Sequence, residues 1–379
     1  MIHAVRYHRD GVSHEGSLVS DAAGVRLRAE PAPAGSPRLD GIVTGRFTDH
    51  HVHLQLVDPA LLKSSRLGRV VDLGADLSSI RALAAQADPA LSGIPAPPKT
   101  VAAVATDTDG IPVPVVALDG VADDPDRPAP APAVPISEPP RHAGRCVIDF
   151  AGPFLTAPGG YPSDRAWAPN GAVVELRDAG HAAAVVAELA EAGAIALKAV
   201  AHSEAGPVLA DDLMHVLAAL AVEHRLPLIV HAEGPGQAQR AAALGATALA
   251  HAPFTERLDD DEITGQAASV AWISTIAVHD DTHRAIAIDN VRRFAAAGGT
   301  LLYGTDMGNG PTPVDLNADE VTVLREAGVE GPLLLRALAP LDPLLPGASL
   351  LLVPEDDPAS ARLLTRTDRP SDVAAPASV

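Results

Sequence analysis

The sequence predicts an α/β protein, a (β/α)8 TIM-type barrel with a small β-sandwich domain built from the N- and C-terminal segments. Three observations carry this. Short apolar stretches alternate with Ala-rich amphipathic stretches from about residue 45 onward. The alternation yields eight strand-like segments, and repeated strand–helix alternation implies a parallel sheet. Before it, residues 1–44 are half-polar strands broken by Gly, Pro and Asp, with no helical period.

Taken in order, strands are expected near 45–50, 69–73, 145–150, 194–199, 227–231, 247–250, 270–276 and 300–304. Helices are expected near 76–87, 180–193, 210–224, 235–244, 283–297 and 315–327. The barrel thus occupies 45–344. A Pro-rich insertion at about 88–142 interrupts it, with a hairpin expected in its middle and extended chain around it. Residues 345–365 read as strands that return to the N-terminal sheet, so 1–44 and 345–379 form the second domain.

Composition narrows the function. At 379 residues and 47% hydrophobic content the chain can bury a large core. A net charge of −20 repels phosphate backbones and anionic lipid, so neither nucleic acid nor membrane is expected as a partner. Cys146 is the single cysteine, which excludes a disulfide within the chain and a Cys-based zinc site. No apolar leader and no 18-residue apolar run is visible, so a cytoplasmic protein is expected. Homo-oligomerisation is left open.

The chemistry-bearing residues fall at strand ends. In "TDHHVHLQ", side chains alternate across the strand, which puts Asp49, His51 and His53 on one face and His50 and Val52 on the other. Two imidazoles on one face can serve one metal ion. Later strands end on His231 in "LPLIVHAEG", His251 in "GATALAHAP" and Asp306 in "GGTLLYGTDMGNG". Each alone has an ordinary reading as a polar cap or a turn. Together they stand in register with the strand ends, where barrel enzymes place catalytic groups.

Lys198 ends the apolar strand in "GAIALKAVAHSE". Only three of 28 basic residues are lysine, so arginine is the expected surface cation here. A buried ammonium is costly unless paired or deprotonated. The functional reading is a neutral amine that takes up CO2 to give a carbamate able to bridge two metal ions, a role closed to arginine.

The order His-x-His, Lys, His, His, Asp along eight strands resembles the metal-dependent amidohydrolase superfamily, in its imidazolonepropionase-like and prolidase-like subgroup. The likeness runs from about residue 40 to 345 and includes "VVDLGADLSSIRAL", "GPFLTAPGGYP" and "VHAEG". It departs at Gly45–Asp49, where the family leads in with Pro-Gly, and at Ser349–Val353, which lacks the family's aspartate.

The resemblance implies a small-molecule hydrolase of C–N amide bonds. The substrate would be an acyl-amino acid, a dipeptide or a cyclic amide. It implies two divalent ions, zinc by default, with His51 and His53 on one, His231 and His251 on the other, and carbamylated Lys198 between them. Asp306 would be both ligand and proton-transfer group beside a bridging hydroxide. Asp49 would fix the tautomer of a ligand histidine. Tyr161, His202, Glu233, His279 and Asn309 are candidate substrate contacts, with Phe154 and Trp167 clustered near Tyr161 and Glu204 near His202. Other readings stay open: a mononuclear deaminase or imidazolone-type ring hydrolase using Glu233, a lactonase or phosphotriesterase on the same two-metal site, or a non-catalytic scaffold.

Overall fold

A computed structural model describes residues 1–22, 24–87, 145–354 and 357–365. The expected hairpin in the Pro-rich insertion lies outside the described residues. The fold is mixed α/β with parallel-strand sheets.

The chain opens with four strands, β1 (Ile2–Arg9), β2 (Val12–Asp21), β3 (Gly24–Arg28) and β4 (Arg38–Gly45). The central strands follow as β5 (Phe47–Val52), β6 (Leu67–Asp72) and β7 (Val147–Phe150). Next come two short strands, β8 (Phe154–Thr156) and β9 (Val173–Glu175), and then β10 (Leu197–His202), β11 (Leu228–Glu233), β12 (Ala248–Leu249), β13 (Ala271–Ile273) and β14 (Leu301–Leu302). The chain ends with β15 (Leu350–Val353) and β16 (Arg362–Leu363). Helices α1 (Leu77–Ala87), α2 (Ala179–Glu191), α3 (Asp211–His224), α4 (Gln237–Ala243), α5 (Asp260–Ser269), α6 (Asp281–Ala296), α7 (Ala318–Glu326) and α8 (Gly331–Leu338) fill the connections.

β5, β6 and β7 pair in parallel, as do β10 through β14 in sequence order. Backbone bonds join the two groups at both ends. Ile195 N–H donates to Phe150 O at 2.9 Å, and His50 N–H donates to Tyr303 O at 3.0 Å. Val71, Ala151, Ala196, Ile229, Ala248 and Ile273, from successive strands or their flanks, form one buried cluster. Several of these are alanines, whose small side chains let the strands pack closely. A larger apolar cluster packs the helices against the strands.

The terminal segments meet as expected of the strands. β15 runs antiparallel to β4, giving one six-stranded sheet in the order β16-β15-β4-β1-β2-β3. Its own core contains Val5, Tyr7, Leu18, Val43, Leu350 and Leu352.

Two helices and two strands were not anticipated. α5 is acid-rich with little apolar periodicity, and a capping box holds it. Asp259 accepts from Glu262 N–H at 2.8 Å, and Glu262 accepts from Asp259 N–H at 2.9 Å. In α8, three consecutive leucines hide the helical period. β8 and β9 have three residues each, too few for a pattern.

Trp272 and Phe294 stack at 3.8 Å and 7°, both fully buried, and pin α6 to β13. Phe294→Ala should cost about 3–5 kcal/mol, read as a lower urea midpoint with an unchanged slope.

Candidate metal centre

The site forms where the carboxyl ends of the parallel strands meet. β5 delivers His51 and His53 on the face opposite His50, whose Nδ1–H donates to Tyr303 O at 3.0 Å. Asp306 arrives from the other end of the chain, just after β14. Close approach is required there, because a Cβ at Gly304 would stand 2.3 Å from Ile273 Cγ2 and 3.2 Å from His51 Cβ. His53 N–H then donates to Met307 O at 2.7 Å, which sets Asp306 over the two imidazoles.

Asp306 Oδ1 lies 3.3 Å from His51 Nε2 and 3.0 Å from His53 Nε2. Lys198 is the second residue of β10 and does not end the strand as expected; it is buried, with Nζ 3.2 Å from His51 Nε2. The His251 ring sits 4.8 Å from that of His51 and 4.8 Å from that of His231. His231 Nε2 bonds Glu233 Oε2 at 2.9 Å, and His202 Nε2 lies 3.3 Å from Glu233 Oε1.

These donors fit a divalent cation. His51 Nδ1 must donate to Ala250 O at 2.8 Å, which leaves Nε2 as a lone-pair donor. His251 Nδ1 meets the Thr275 hydroxyl at 2.8 Å, so with Nδ1 donating its Nε2 is likewise available. Asp306 Oδ1 and His53 Nδ1 are buried without a hydrogen-bond partner among the described residues. The 3.0–3.3 Å spacing between Asp306 Oδ1 and the two Nε2 atoms suits ligands about 3.3 Å apart around a tetrahedral ion with ~2.0 Å bonds. At His51, where Nε2 carries a lone pair, a carboxylate oxygen at 3.3 Å is repulsive without a cation between them.

Electrostatics favour the ligand protonation states. Burial, then Lys198, lowers His51 well below the ordinary range, and burial with His51 and His231 does the same for His251. Burial pushes Lys198 down to about 7, against the pull of Asp306 and Asp72. At Asp306, burial favours the neutral acid. His51, the His53 imidazole 3.0 Å away and His251 outweigh it and hold the carboxyl well below the usual carboxylate range. Two strand-end residues also carry strain: Asp306 at φ 55° and Thr275 at φ 45°, the latter β-branched.

Above the cluster is a cavity of about 770 Å³. Tyr161, Glu233, His279 and Asn309 line it, as do Phe154 and Trp167. Asn309 donates to Asp306 Oδ2 at 2.9 Å. His279 stacks on Phe254 at 3.8 Å.

No family model matches the sequence, and neither does any curated protein. Solved structures do match. A putative prolidase from Bifidobacterium longum aligns with a TM-score of 0.58 at 17% identity, covering 93% of this chain and 88% of that one. A Xaa-Pro dipeptidase with methionine bound in its active site gives 0.56 at 15%, covering 92% of each chain. An A. niger ochratoxinase gives 0.57 at 12%, covering 93% and 89%. The chain shares the fold of these structures, and of one described as an amidohydrolase at 13% identity and a TM-score of 0.58. Identities this low speak for the fold and leave the reaction to the site.

Within this fold, three further expectations need correction. Asp49 does not touch a ligand imidazole. Its carboxylate accepts from Thr305 N–H at 3.1 Å, Thr305 Oγ1–H at 2.5 Å and His51 N–H at 3.0 Å, which ties β5 to the Asp306 turn. His202 is not on the cavity wall and meets it through Glu233 and the Tyr161 ring, 5.0 Å away. Glu204 is exposed and off the wall, because the β10 strand has ended and its side chain turns outward.

Sequence reasoning missed Asp72, Thr275 and Thr305. Asp72 ends β6 and accepts from Leu54 N–H at 2.7 Å and Gly74 N–H at 3.0 Å, which fixes the turn that follows His53. Its strand-end position in "VVDLG" was the available signal. The two threonines gave none, since their partners lie 24 and 256 residues away.

Thr275→Val removes the partner of His251 Nδ1. Divalent-cation affinity should fall about 10- to 100-fold, measured by chelator competition on the folded variant.

Proposed function

We propose that the protein is a metal-dependent hydrolase of C–N amide bonds. Its barrel would be a (β/α)8 TIM-type barrel over 45–344, and its terminal segments a small β-sandwich. The backbone joins Ile195–Phe150 and His50–Tyr303 support closure of eight strands, and the separate terminal core supports the second domain. The single observation carrying the activity is the convergence of His51, His53 and Asp306, from opposite ends of the sequence, on one point. Fold neighbours described as a prolidase, a Xaa-Pro dipeptidase and a phenylurea hydrolase support the C–N bond as target.

In this reading His51, His53 and Asp306 hold one divalent ion, zinc by default, and His231 with His251 holds a second. When bound, such ions acidify a shared water and polarise a carbonyl. Lys198 joins the two positions as a carbamate. Its neutral amine, favoured by burial, attacks CO2, forming an N–C bond and releasing one proton. Asp306 accepts a proton from the attacking water and passes it to the leaving nitrogen. The Asn309 amide keeps Asp306 Oδ2 aimed into the cavity. The Tyr161 hydroxyl, pushed up to about 12 mainly by burial, stays protonated and can donate to the substrate carbonyl oxygen.

One observation favours a second reading. Glu233 already occupies His231 Nε2 at 2.9 Å. A mononuclear enzyme would leave that pair intact and use Glu233 to bind substrate or move protons.

The two readings part on metal content and two variants. The first expects about two ions per chain, loss of turnover in Lys198→Ala by about 10³-fold or more, and partial rescue of that variant by short carboxylic acids. One ion in a fully active, CO2-replete preparation, with turnover lost in Glu233→Gln but kept in Lys198→Ala, would establish the second.

A further inference from the structure

The cavity walls differ in chemistry. On the side that follows β7, Phe154 lies 5.5 Å from the His53 ring, and Trp167 meets Phe154 edge-on at 6.1 Å. Leu56, from the turn after β5, faces the same cavity. Trp167 is 41% exposed and Leu56 36%. The chain has two Trp, three Tyr and five Phe, and its other tryptophan, Trp272, is fully buried with Nε1–H donating to Gln266. A single exposed apolar side chain is ordinary. Here two of them, Trp167 and Leu56, line one cavity above the ligand cluster together with the buried Phe154, where an occupant would cover them.

In strand order β13 lies opposite β7, and the wall on that side is mixed, with Phe254, Ala277 and Val278 beside charged and polar groups. Asp280 and Asp319 face the cavity there, with Glu233 deeper. Among the described residues no arginine lines the cavity, and its single lysine is Lys198. Arg165 sits 5.4 Å over the Tyr161 ring, off the wall, with Asp164 at 3.4 Å.

We propose that the substrate carries a flat, uncharged apolar group beside the scissile amide, seated against Trp167, Phe154 and Leu56. A free carboxylate at that position is disfavoured, because Trp167, Phe154 and Leu56 offer it no cation and Glu233, Asp280 and Asp319 line the same cavity and repel it. The hydrolytic part of this rests on the function proposed above; the binding part does not.

Binding and turnover are therefore read separately on the metal-loaded full chain. Two matched pairs serve as probes: acetanilide against N-methylacetamide, and N-acetylphenylalaninamide against N-acetylphenylalanine. Trp167 emission reports occupancy over the constant background of Trp272, and calorimetry gives affinities. The aromatic and the uncharged member of each pair should bind at least ten-fold more tightly and shift the emission. Trp167→Ala should cut the aromatic-to-methyl ratio about ten-fold, while Trp167→Phe should keep most of it. A ratio untouched by Trp167→Ala would overturn the proposal. So would tighter binding of the free acid; loss of that preference in Arg165→Ala would make Arg165 a carboxylate anchor instead. The expected binding ratios without turnover of any amide would uphold the apolar wall and count against the hydrolase.

Discussion

Everything at the site depends on one join, between β5 and the turn after β14. Residues about 250 apart in sequence are brought into register there by two backbone bonds and the buried Asp49 carboxyl. Asp49 is fully buried, and burial raises its pKa to about 7 despite its hydrogen bonds to Thr305 and His51. A group that is costly to bury is retained because its donors come from both sides of the join. Without it, His51 and His53 would have no fixed relation to Asp306.

The cluster brought together this way is unfavourable on its own. Four imidazoles, an amine and a carboxylate share a largely buried space, and Asp306 Oδ1 has no hydrogen-bond partner among the described residues. Buried polar groups in native proteins are paired, so an arrangement of this kind points to an occupant. A divalent cation resolves the mismatch with one charge centre. The strained φ values at Thr275 and Asp306 fit the same picture, since strain persists where surrounding structure holds a side chain for a purpose.

The fold was legible where periodicity is long. The strands bearing Lys198 and His231 and the helices α2, α3 and α6 stand within a few residues of their expected places. α5 was hidden because capping rather than amphipathicity holds it, and α8 because its leucines run consecutively. At the site, polar residues on or just after apolar strands were the useful signal: His51, His53, Lys198, His231, His251 and Asp306 all line one cavity, although Lys198 is the second residue of β10 and His231 lies inside β11. Residues acting through other residues were not legible. Asp49 was assigned to a histidine ring by proximity in sequence, yet its partner is Thr305, a contact that exists only after folding. His202 was read from its place shortly after Lys198, which did not show that its ring would pair with Glu233. The comparisons reach the fold and stop there, so the reaction rests on side-chain geometry.

The most direct test is anomalous X-ray scattering from crystals of the metal-loaded protein, recorded at the metal absorption edge. The account predicts a peak about 2.0–2.3 Å from His51 Nε2, His53 Nε2 and an Asp306 oxygen. It also predicts a second peak beside His231 and His251, with extra density on Lys198 Nζ between the two. Ordered side chains in the same places with no anomalous peak among them, or a peak elsewhere on the molecule, would contradict it.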